Sequence, residues 1–77
     1  MHEIDWYSED DDIKSALKKV GNGEELHIYA PEDSGAVIYC IGYDYYALFH
    51  EVYGSQQFAE VFHRREIDHM IKKIREI

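Results

Sequence analysis

The sequence predicts an α+β fold: one small domain built as a helix, a three- to four-stranded antiparallel meander and a C-terminal helix, with both helices on one face of the sheet. Three observations lead there. Apolar residues recur at helical spacing near both ends, alternating or β-branched runs fill the middle, and turn-forming residues punctuate the boundaries. A chain of 77 residues suffices for one domain only. Its core is marginal at this size, and with Cys40 as the single cysteine no internal disulfide can reinforce it.

The first helix is expected over about residues 9–20. Ser8 can cap it with Asp11 as reciprocal acceptor, and Ile13, Ala16, Leu17 and Val20 follow at i, i+3, i+4 and i+7. Gly21 supplies a left-handed terminator, and Gly21-Asn22-Gly23 turns the chain. Leu26, Ile28 and Ala30 then alternate with Glu25, His27 and Tyr29, the pattern of a half-buried strand over about 25–30. Pro31 ends it, opening the turn Pro31-Glu32-Asp33-Ser34-Gly35.

The run from Ala36 to Ile41 is continuously apolar, which predicts a central strand over about 36–42 covered on both faces. After a turn at Gly42-Tyr43-Asp44, residues 45–53 form a third strand with Tyr46, Leu48, His50 and Val52 on one side. Residues 57–62 are read as a fourth strand, the alternative being a helix capped by Ser55. Ile67, Met70, Ile71 and Ile74 mark the last helix, over about 64–76, although His63 is not a residue of the usual capping type.

Charge decides among function classes. Sixteen Asp and Glu against eight Lys and Arg give a net charge of −8, and residues 1–33 alone hold ten acids and three bases. Direct binding to a phosphate backbone needs basic clusters that release counterions, and the segment Ser34 to Ala59 contains no Lys or Arg. No nucleic-acid ligand is expected. No run of about 18 apolar residues suggests a membrane span, and the first residues lack the features of a signal peptide, so a cytoplasmic protein is expected.

Two features point toward protein binding. The acids Glu9, Asp10, Asp11, Asp12, Glu24, Glu25, Glu32 and Asp33 form the charged component of an expected docking surface. Acids in a first helical turn also favour the helix dipole, which accounts for the run at 9–12 but not for the others. Six of seven tyrosines fall between Tyr29 and Tyr53, and Tyr43, Tyr45 and Tyr46 are the expected aromatic contacts. The expected partner is a basic protein, in particular the nucleic-acid-binding site of an enzyme, occluded by an acidic inhibitor of the mimic type. The alternative is a structural homodimer.

No catalytic motif is present and no enzyme activity or cofactor is expected. Five histidines invite a metal, but only His27, His50 and His63, on three expected strands, could meet, and no native metal site is expected. Cys40 lies in the most apolar strand and reads as a packing residue.

Overall fold

The computed structural model describes residues 2–76. The chain runs through strand β1 (His2–Asp5), helix α1 (Asp10–Lys18), strands β2 (Glu25–Ala30), β3 (Ser34–Gly42), β4 (Tyr45–Val52) and β5 (Ser55–His63), a 3-10 turn (Arg64–Glu66) and helix α2 (Ile67–Ile74). The five strands form one sheet in the order β1-β2-β3-β4-β5. This is a small α+β domain, with a mixed rather than all-antiparallel sheet. β1 pairs with β2 in parallel, His2 against Leu26 and Ile4 against Ile28, while the remaining pairs are antiparallel.

The first strand was not expected, and it changes the role of α1 from a lead-in helix to the crossover of a β-α-β unit. Its four residues hold one apolar side chain, Ile4, too few for an alternation signal. Pairing to β2, together with the bond from Trp6 N–H to the Tyr29 carbonyl at 2.7 Å, makes the strand.

Register fixes which side chains face the helices. Leu26, Ile28, Ala36, Ile38, Cys40, Tyr46, Leu48 and Phe62 share one core with Ile13 and Leu17 of α1 and Met70, Ile71 and Ile74 of α2. An Ile, Leu or Phe side chain taken fully from water contributes about 1.5–3 kcal/mol, so this layer carries the fold. Two ion pairs tie the helices together, Lys14 Nζ to Asp68 at 2.5 Å and Arg75 to Asp10 at 2.9 Å.

Local details depart from expectation in ways that have physical causes. Ser8 does not cap α1: Glu9 is the N-cap and makes no side-chain cap bond, while the Ser8 carbonyl accepts from Arg75. Gly21 is not the left-handed residue; Gly23 is, at φ 83°. The 3-10 turn that leads into α2 is capped by His63, whereas α2 itself starts at Glu66 with no side-chain cap. The His63 Nδ1 accepts the Arg65 N–H at 3.1 Å, and the Glu66 carboxylate accepts the His63 N–H at 2.9 Å, a capping box with imidazole in place of a hydroxyl.

Residues 55–63 are strand, bent by a bulge where Leu48 faces Glu60 and Phe49 faces Phe58. The bulge pushes Ala59 out of register, which blurs the alternation. Gly35 is required at its place: its φ is 145°, and a Cβ there would collide with the Ile28 carbonyl oxygen of the neighbouring strand. β3 is central in the order, but it is covered on one face only, since Tyr39 and Ile41 remain exposed on the other.

Candidate protein-binding surface

The side of the sheet away from the helices is set by the same register. One row crosses all five strands as Glu3, His27, Val37, Phe49 and Phe58; a second runs Asp5, Tyr29, Gly35, Glu51 and Gln56; a third runs Glu25, Tyr39, Ala47 and Val61, with Tyr45 opposite His63 beyond it. The centre of this face is apolar. Val37 is 2% exposed even without a covering layer, because flanking side chains close over it.

Three separate ring pairs lie on this face. Phe49 meets Phe58 edge-on with ring centroids 5.7 Å apart, Tyr45 meets His63 edge-on at 5.0 Å, and His27 leans on Tyr29 at 6.0 Å. Such pairs hold rings in fixed positions at little further entropic cost on binding. Phe58 is nonetheless 60% exposed, and Val61, Tyr29 and Tyr39 are exposed as well. An apolar patch of this kind on a folded surface marks an interaction site more often than chance.

Its charge is of one sign. The five strands contain no Lys or Arg; all eight basic residues lie in α1, the residue after it, the 3-10 turn and the region of α2. The open face therefore carries the carboxylates of Glu3, Asp5, Glu25 and Glu51 with no cation opposing them on the sheet. Glu25 bonds the His27 ring at 2.8 Å. Partial burial pushes the Tyr29 hydroxyl above its usual ionisation range, and the neighbouring Glu3 and Glu51 carboxylates push in the same direction.

The residues expected from sequence do not form one surface. Asp10, Asp11 and Asp12 begin α1 on the helix side, next to Glu9, and Asp10 is already paired with Arg75. Glu32 and Asp33 sit in the β2–β3 turn, both left-handed at φ 62° and 55°, at the end of the sheet where β1 stops. Glu24 lies at the opposite end, where its carboxylate accepts the Gly21 N–H at 2.6 Å. Tyr46 turns inward, 8% exposed, and belongs to the core. Tyr43 occupies the tip of the β3–β4 turn, fully in solvent. Of the expected set only Glu25 and Tyr45 lie on the open face.

Glu3, Asp5, Tyr29, Tyr39, Phe49, Phe58 and Val61 complete that face without having been singled out from the sequence. The signal for Tyr29 was available, since Leu26 and Ile28 facing inward force His27 and Tyr29 outward. For Phe58 and Val61 it was not, because the bulge interrupts the period. Nor do His27, His50 and His63 converge: His50 aligns with Ala36 on the helix side, and the other two are on the open side at different ends of the sheet. Among the described residues no group of three or more His, Cys, Asp or Glu side chains could hold a metal ion, and no helix is long and apolar enough to cross a membrane. Comparison with protein-family models, with curated proteins and with solved structures finds no match to this chain.

Proposed function

We propose that this protein is a small acidic binding module whose open sheet face docks on a basic surface of a partner protein, most specifically the nucleic-acid-binding site of an enzyme. The observation that carries the reading is the absence of Lys and Arg from all five strands, so that the charged strand side chains on the aromatic face are carboxylates, with Arg65 reaching only its His63 corner. A cationic surface with an apolar centre is its complement. Long-range attraction would speed encounter, and Phe49, Phe58, Tyr39 and Tyr45 would supply the dry centre that slows release. Surfaces that hold phosphate backbones are the strongest concentrations of positive charge on enzymes, which favours that class of partner.

Self-association through this face is disfavoured by the same charges. Two copies face to face would set Glu3, Asp5, Glu25 and Glu51 against an identical set, and like charges at a desolvated interface cost several kcal/mol.

The test is capture from a nuclease-treated lysate with stepwise salt elution, comparing the native chain with Glu25→Lys/Glu51→Lys and with Asp11→Lys/Asp12→Lys. A basic, nucleic-acid-handling partner, displaced by added DNA or RNA and lost with the sheet pair but kept with the helix pair, supports the reading. Loss with the helix pair alone would return the interaction to the acidic start of α1. Salt-insensitive dimers as the sole product would replace it with the homodimer.

A further inference from the structure

A cavity of about 320 Å³ opens at the end of the molecule where α1 finishes, between that helix, the β3–β4 turn and the 3-10 turn. It is lined by Lys14, Lys18 and Arg64, three of the eight cations of a chain whose net charge is −8. We propose that this cavity binds a small organic anion, a phosphate or carboxylate head carried on an apolar body. The site is separate from the open sheet face and shares no residue with it.

Its position follows from the fold. Lys14 and Lys18 are four residues apart, so they project from the same side of α1 toward the 3-10 turn. Arg64 reaches the cavity from the other wall, where its backbone N–H is anchored to the Asp44 carbonyl at 2.7 Å. Lys18 alone would be ordinary, because a cation in the last turn complements the helix dipole. Lys14, a turn earlier, is placed by its pair with Asp68, but Arg64, from a different element, has no such reason to meet them.

Lys14 is engaged by Asp68, whereas Lys18 and Arg64 make no close internal ion pair among the described residues. Arg64 approaches Asp44 only to 3.8 Å, beyond hydrogen-bond distance, so its guanidinium keeps its donors. Asp44 is the one acid on the lining, which leaves the cavity net positive. Tyr46, buried in the core, also reaches it. Its hydroxyl lies within electrostatic reach of Arg64 and Asp44, with burial the main influence on its ionisation, and it can donate to an oxyanion.

Leu17, Val20 and Ile67 supply the apolar part of the wall, beside Asn22 and Cys40. A cavity of roughly 150 Å³ already accepts a benzene ring, so this volume holds one ring with an anionic head. Small-molecule sites combine an apolar lining with a few placed polar groups in this way.

The test is a two-dimensional amide NMR titration of the full chain with phenyl phosphate and with benzoate, using benzyl alcohol as the neutral control. The expected result is a saturable shift at the Leu17, Asn22 and Tyr46 amides, with affinity lowered about tenfold or more by Arg64→Ala and by Lys18→Ala. Lys72→Ala, on α2 outside this cavity, leaves it unchanged. Tyr46→Phe keeps the buried ring and so keeps the fold, and it lowers affinity by removing one donor. Non-saturable shifts, equal weakening by Lys72→Ala, or equal binding of benzyl alcohol would each overturn the proposal.

Discussion

Arg75 places its guanidinium carbon 5.3 Å from the centroid of the Trp6 ring and donates to the Trp6 carbonyl oxygen, joining the two ends of the chain across 69 residues. The same group donates to the Ser8 carbonyl at 2.6 Å and to the Asp10 carboxylate at 2.9 Å. One side chain thus closes the passage from β1 into α1. It ties down the oxygens ahead of the helix and in its first turn, while the free N–H groups of that turn receive no side-chain cap from Glu9.

Arg75→Ala is therefore expected to destabilise the protein by about 1–3 kcal/mol, the range for partly buried charged hydrogen bonds with an added cation–π contact. Arg75→Lys should recover little, because a single ammonium cannot span two carbonyls and a carboxylate in fixed directions. Urea denaturation checks this, the midpoint falling while the slope stays constant. A midpoint unchanged in Arg75→Ala would mean that the contacts contribute nothing to stability.

The β4–β5 loop has two residues, Tyr53 and Gly54, with φ of 50° and 79°, the backbone signs of a type I′ turn. A tyrosine pays for the left-handed position, whereas Asn-Gly is the pair this turn favours. Tyr53→Asn should stabilise the fold by about 0.5–1 kcal/mol, as relief of left-handed strain predicts. Thermal unfolding gives the measurement. Destabilisation instead would show that the exposed Tyr53 ring packs on its surroundings enough to outweigh the strain.

Glu24 has its carboxyl held below the ordinary value of 4.5, first by the Gly21 N–H and then by the His2 ring. A carboxylate depressed in the folded state adds stability that is complete above its unfolded value and disappears as pH falls through the folded one. The stability advantage of the native chain over Glu24→Gln should accordingly shrink as pH falls from 4.5 through the folded-state value. Denaturation midpoints of both proteins across acid pH test the sign. An advantage that grew on acidification would contradict the assignment.

Much of the fold was legible in the residues. Ile13, Leu17, Leu26, Ile28, Met70, Ile71 and Ile74 were placed on inward faces by period alone, and all are buried. Where sequence reading stopped, the cause was a short element or an interrupted period. β1 is too brief to show alternation, the Ala59 bulge hides the outward set of β5, and the cap of the 3-10 turn before α2 uses an imidazole that propensity ranks below hydroxyls and carboxylates.

The candidate surface was less legible than the fold, for a different reason. The acids from Glu9 to Asp12 and the tyrosines from Tyr43 to Tyr46 are conspicuous as runs, yet a run on a strand divides between two faces and a run on a helix start serves the dipole. Tyr45 and Tyr46 are adjacent in the chain and end on opposite sides of the sheet. The sequence by itself determined the net charge, the lack of bases in the strands and the helix and strand periods, all properties that need no neighbours. Only the tertiary structure decided which carboxylates surround the aromatic face, and which lysines and arginine converge on one cavity. Those groupings depend on strand register and on where α1 lies against the 3-10 turn, contacts made between residues far apart in the chain.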